Sequence, residues 1–149
     1  MKNILMCILF FGLTFPSYAS EQKLEGYISG FNYEVRKEMK IDSETLIQLL
    51  KEDRVELIDI RFLEEYAAWH AGYSKHIPLN ELPDRIAEID KSKIVVTACP
   101  HKDRAIIAMV YLRSKGIQAK YLTDGLIGLT ENLRGDRAKD LVDARKKLK

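Results

Sequence analysis

The residues best equipped for chemistry sit together in Thr97-Ala98-Cys99-Pro100-His101-Lys102-Asp103-Arg104-Ala105. Cys99 ends the run Ile94-Val95-Val96-Thr97-Ala98, whose β-branched residues predict a strand buried on both faces. A helix is expected to begin at Asp103. A tight loop between the two can turn successive backbone N–H groups inward as a nest for an anion, and the helix N-terminus adds partial positive charge. Both effects favour the thiolate, the nucleophilic form of cysteine. His101 and Lys102 add positive charge in the loop. The alternative is a small hydrophobe that happens to end a strand.

Arg104 falls in the first turn of the expected helix, where a cation opposes the macrodipole. It must therefore be solvated, paired with a carboxylate, or turned toward a bound anion. Asp59 and Arg61, at the end of an expected strand Val55–Ile60, are its expected neighbours at the same sheet edge. The competing reading is a surface ion pair of little energetic weight.

The chain has two cysteines, Cys7 and Cys99, which excludes a disulfide framework and a cysteine-rich zinc module. The spacing of His70, His76, His101 and Cys99 matches no zinc pattern, so no metal is expected. Met1–Ala19 has the form of an export signal. Lys2 opens it, Ile4–Phe15 is almost wholly apolar, Pro16 breaks the run, and Ser17-Tyr18-Ala19 is a small-x-small cleavage site. Cleavage after Ala19 would remove Cys7, leave Cys99 as the sole thiol, and place the protein in the periplasm or outside the cell.

The elements that would position Cys99 can be followed along the chain. Its 149 residues suit one domain with a real core. With 46% hydrophobic residues, disorder is excluded. Basic and acidic residues number 24 and 22 with no long basic block, so no nucleic-acid partner is implied. Residues 20–38 show no clean period and read as a leader packed on the domain edge. Strands are expected at Met39–Ile41, Val55–Ile60, Ile94–Ala98 and Ala119–Leu122, and His76-Ile77-Pro78 is expected to be extended, as the residue before proline usually is. Helices are expected after an Asp42 or Ser43 cap, at Leu63–Trp69, from Pro83 to Ile89, at Asp103–Lys115 with Gly116 as the stop, and at Leu126–Leu133 after an Asp124-Gly125 turn. Residues 136–149 read as a highly charged, solvated helix. Such alternation predicts an α/β fold, a parallel sheet with helices on both faces. Ligands in these sheets sit where strands end and helices begin.

Three segments, in order and spacing, resemble the rhodanese-like sulfurtransferases over Met39–Gly135. Leu57-Ile58-Asp59-Ile60-Arg61 followed by Glu65-Tyr66 is similar to that family's L-[IV]-D-[VI]-R…E-[YF] segment. His70 with Ile77-Pro78-Leu79 is similar to its G-H-x6-I-P-L segment, with Trp69 in the glycine's place. Ile94–Arg104 is similar to its strand and C-x4-R loop. The related cysteine phosphatases and arsenate reductases use a loop one residue longer, sized for a tetrahedral oxyanion. The resemblance implies that Cys99 accepts a sulfane sulfur as a persulfide within a cradle of loop amides. It also implies that Arg104 closes the loop and that Asp59 and Arg61 brace it from beneath. The chain departs from the pattern at Lys102, where many family loops have glycine, and at Pro100, which has no N–H to offer the cradle. Tyr73 and Ser74 replace a small pair, and Asp124 and Leu129 replace a glycine and a tryptophan.

The expected function is transfer of a sulfane sulfur from a small anion such as thiosulfate to a thiol or cyanide by double displacement, with no metal or organic cofactor. The alternative is a rhodanese-like module that carries or senses persulfide, or docks a protein partner, with poor turnover.

Overall fold

A computed structural model describes residues 24–148; the expected export signal, Cys7 and the start of the leader lie outside them. Five parallel strands form one sheet: β1 (Lys40–Ile41), β2 (Val55–Asp59), β3 (Lys75–His76), β4 (Ile94–Ala98) and β5 (Ala119–Leu122), in the order β1-β5-β4-β2-β3. The helices are α1 (Leu24–Ser29), α2 (Tyr33–Glu38), α3 (Ser43–Lys51), α4 (Leu63–Ala68), α5 (Leu82–Arg85), α6 (Asp103–Ser114), α7 (Gly125–Asn132) and α8 (Asp136–Lys146), with a 3-10 turn at Ile86–Glu88 after α5.

The central position of β4 follows from its composition. Val95, Val96, Thr97 and Ala98 are fully buried, and each valine side chain so buried contributes roughly 1.5–3 kcal/mol. Side chains alternate between two cores, as a strand's period of two requires. Ile58, Val95, Cys99 and Tyr121 pack with Ala105, Ala108, Met109 and Leu112 of α6. Leu57, Val96, Ala98 and Leu122 pack with Leu46, Ile47 and Leu50 of α3, Leu126 and Leu129 of α7, and Leu141 of α8. Cys99 continues the alternation of β4 and so falls on the α6 side.

Local chemistry sets the helix ends. Asp42, rather than Ser43, caps α3: its Oδ1 accepts from Thr45 N at 2.8 Å, which holds the Asp42 carboxyl below its usual range. Gly116 ends α6 at φ 75°. There Ile117 N donates to Leu112 O and Gly116 N to Arg113 O, both at 3.0 Å, satisfying carbonyls the helix leaves free.

Two expectations need correction, at the helix from Pro83 and at the C-terminal helix. The leader is partly helical: Asn32 Oδ1 accepts from Glu34 N and Val35 N to start α2, and Tyr27 of α1 is buried, with α1 packed against α6. Two turns of charged and aromatic residues are too short to show a period. The helix expected from Pro83 to Ile89 breaks into α5 and the 3-10 turn. The C-terminal helix is charged, but it is not only a solvated cover. Leu141 is buried, and Arg145 Nη1 donates to Leu50 O at 3.0 Å.

Candidate active site

Cys99 is the first residue after β4, and Lys102 stands at the N-cap of α6. The turn is fastened at both ends. At the helix end, Thr97 Oγ1 donates to Ala105 O at 2.8 Å from inside the core. On the other side, the first amides of α7 clasp the loop backbone: Leu126 N donates to Cys99 O at 2.9 Å and Ile127 N to Pro100 O at 3.3 Å. Gly125 permits that approach. It sits at φ 64°, and a Cβ there would lie 2.2 Å from His101 O and 2.3 Å from Pro100 O. The sequence shows the Asp124-Gly125 turn but not that its glycine touches the loop. Asp124, standing where the family has glycine, accepts from Ser43 N at 3.2 Å and so ties this turn to α3.

The thiol of Cys99 is fully buried at the floor of the loop. The backbone N–H groups of Ala105, His101 and Arg104 favour the charged form of the sulfur. Pro100 is not among these donors. Its side of the turn faces α7, where its carbonyl is used, so the missing N–H leaves the cradle's three amides in place. Burial outweighs the amides and pushes the thiol's pKa up, and the nearby Asp103 carboxylate adds to the rise. The Sγ donates to Asp103 Oδ1 at 3.7 Å. The expectation that the loop favours the thiolate is thus corrected. The loop amides act in that direction, but the desolvation of the thiol is the larger effect.

Arg104 is paired, though not with the neighbours expected. Its Nη1 and Nη2 donate to Glu65 Oε2 and Oε1 at 2.6 and 2.8 Å, a two-pronged contact. Glu65 also accepts from Phe62 N at 3.3 Å at the start of α4, so one carboxylate ties the first turn of α4 to the first turn of α6. Arg104 holds the Glu65 carboxyl below the usual range. The depressed carboxyl contributes stability above its unfolded pKa, about 4.3, and loses it as pH falls through the lower folded value. Both side chains are about a third exposed, so the contact is worth about 1 kcal/mol or less. Glu65→Gln should therefore lower the urea midpoint slightly at neutral pH, and its gap from wild type should close as pH drops below about 4. A pH-independent gap would mean that shape, not charge, holds the loop. Glu65 was legible in its motif, but a partner on another element leaves no mark in the sequence.

Asp59 and Arg61 do not hydrogen-bond the loop; they bind each other. Asp59 Oδ1 accepts from Arg61 N and Nε at 3.1 and 2.9 Å, and Oδ2 accepts from Nη2 at 2.6 Å, with both side chains almost wholly buried. Arg61 Nη2 also donates to Trp69 O at 2.8 Å, and its guanidinium lies 4.2 Å from the Trp69 ring centre. Asp59 is the register partner of Ala98, and Ile60 N donates to Ala98 O at 3.0 Å. The pair thus fixes the strand end beside the nucleophile without contacting it. Trp69, in the place of the family's glycine, is half-exposed and covers Arg61. Tyr66 stacks between His70 and His76, with ring centres 4.0 Å apart on each side. Among the described residues, no three His, Cys, Asp or Glu side chains are gathered as for a metal ion.

The fold and the loop together define a parallel α/β domain with a buried cysteine at a strand-to-helix turn lined by amides. The chain belongs to the rhodanese-like domain family, whose model matches residues 42–132. It is 33% identical over 78 residues to the thiosulfate sulfurtransferase GlpE of Pseudomonas fluorescens, covering 52% of this chain and 72% of that one. It is 34% identical over 91 residues to the HTH-type transcriptional regulator Rv0324 of Mycobacterium tuberculosis, covering 58% of this chain and 40% of that one. Among solved structures, a rhodanese-like domain protein from Staphylococcus aureus superposes with a TM-score of 0.57 at 27% identity, covering 60% of this chain and 89% of that one.

Proposed function

We propose that the protein is a sulfurtransferase that works through a persulfide on Cys99. The observation that carries this reading is the loop from Cys99 to Arg104, which sets a buried cysteine between the end of β4 and the first turn of α6. The kinship with thiosulfate sulfurtransferases supports it. Cys99 attacks the outer sulfur of a donor such as thiosulfate, the donor's S–S bond breaks, and sulfite leaves with the bonding pair. A thiol or cyanide then attacks the terminal sulfur of the persulfide and regenerates Cys99. The amides of His101, Arg104 and Ala105, which favour a charged Cys99, would stabilise negative charge there. No step calls for a metal or organic cofactor. The intact mass of the protein should rise by one sulfur atom on treatment with thiosulfate and return on addition of cyanide. A mass that never changes would refute the proposal.

A second reading has its own support. The thiol's raised pKa slows attack, and a rhodanese-like segment also occurs in the relative named as a transcriptional regulator. In that case the domain holds or senses persulfide. Loading without steady-state turnover to cyanide or a thiol would decide for it. The compartment we propose is the periplasm or the exterior, on the form of Met1–Ala19. Recovery of uncleaved protein from the cytoplasm of its native cell would overturn that.

The loop's exposed cation is Lys102, which has no ion-pair partner among the described residues. A thiolate and a thiosulfate dianion repel. At about 4 Å and an effective dielectric near 20, each unit pair is worth roughly 4 kcal/mol before screening. Lys102→Ala should lower kcat/KM for thiosulfate on the order of tenfold, or ~1.4 kcal/mol. The wild-type advantage should shrink as salt rises. No loss would leave Lys102 a solvated side chain.

A further inference from the structure

Asp103 is the one carboxylate in hydrogen-bond contact with the candidate nucleophile among the described residues, 3.7 Å from Sγ. Its place in the first turn of α6 suits the helix dipole, and that alone would explain an acid there. It does not explain a carboxylate turned toward a sulfur that must become negative. The other charges around the sulfur are largely committed. Arg104 is neutralised by Glu65 of α4, and Asp59 and Arg61 at the end of β2 neutralise each other. His101, Lys102 and Asp103 itself are exposed on the loop, and neither of the two basic residues forms an ion pair with Asp103 among the described residues. Asp103 is therefore the unpaired anion closest to where a donor must place its outer sulfur.

We propose that Asp103 is a specificity-determining residue that selects sulfane donors by charge, favouring monoanionic donors over the thiosulfate dianion. The inference rests on the sulfurtransferase reading and names its substrate class. The chemistry balances for either donor. With thiosulfate, the Cys99 thiolate bonds to the outer sulfur, the S–S bond breaks, and sulfite departs as a dianion. With a thiosulfonate, R–SO2–S⁻, the same bonds form and break and a sulfinate monoanion departs. The Cys99 proton leaves to solvent before the thiolate attacks, and Asp103 takes no part as a base. A second negative charge on the donor must be brought up against Asp103 in one case and not in the other. The raised pKa of the thiol, to which Asp103 contributes, agrees with an acid held close to the sulfur.

The test compares thiosulfate with methanethiosulfonate, in which a methyl group replaces one oxygen and removes one charge. Asp103→Asn should raise kcat/KM for thiosulfate relative to methanethiosulfonate by about tenfold, equivalent to ~1.4 kcal/mol. Asp103→Glu should keep the wild-type ratio. In the same proteins, the pH midpoint of Cys99 alkylation by uncharged iodoacetamide should fall in Asp103→Asn, because an anion that raises the thiol's pKa has gone. Loading from both donors with an unchanged ratio would overturn this proposal alone. Failure of wild type and variant to load from either donor would overturn the sulfurtransferase reading and this one with it. A lower alkylation midpoint with an unchanged ratio would show that Asp103 tunes the thiol without selecting the donor, which also overturns it.

Discussion

Cys99→Ser should stop sulfur loading completely while leaving the fold almost untouched. The substitution exchanges one buried small side chain for another of nearly the same volume, in a core where Ala98, Ala105 and Ala108 are already tightly enclosed. The serine hydroxyl can still donate toward Asp103, so no buried polar group is stranded. Its oxygen cannot hold a transferable sulfur, and at neutral pH it is not ionised. Mass spectrometry after thiosulfate treatment should therefore find no added sulfur, and thermal melting should shift by only a few degrees, the equivalent of about 1 kcal/mol. Transfer activity in this variant would place the chemistry elsewhere and refute the mechanism.

The largest loss of stability is expected from Asp59→Ala. Removing the carboxylate leaves the Arg61 guanidinium almost wholly buried with only the Trp69 carbonyl and ring against it. Breaking one side of such a buried pair typically costs about 3–5 kcal/mol, because the remaining charge has neither partner nor water. Removing both charges, as in Asp59→Ala with Arg61→Met, should be less damaging than the single change. Urea denaturation of the wild type, the single variant and the double variant measures this directly. If the double variant were the less stable, the pair would owe its worth to packing rather than to charge compensation.

How much of this was legible in the sequence varies with the range of the interaction. Strands such as Ile94–Ala98 announce themselves by composition, and Gly116 marks the end of α6 because its backbone conformation excludes most other residues. Cys99 and its loop stand out for the same local reason. The partners of Arg104 and Arg61 do not. A first-turn arginine calls for water, a bound anion or a carboxylate but does not say which, and the Asp59 that the sheet edge offers is already bound by Arg61 two residues away. Glu65 is supplied by a helix on another part of the chain. The state of the thiol is not legible either, since nearby cations say nothing about desolvation, and of the side chains after Cys99 it is Asp103 that hydrogen-bonds the sulfur.

The clasp on the loop also bears on how the site comes into being. The amides holding Cys99 O and Pro100 O belong to Leu126 and Ile127, beyond the whole of α6 and β5. The turn around the thiol is thus a non-local structure, whose ordering must absorb the entropy of closing a long loop. An excised peptide spanning β4 and α6 would carry every loop residue and lack the geometry. On a ribosome, the thiol emerges well before the residues that fix its surroundings.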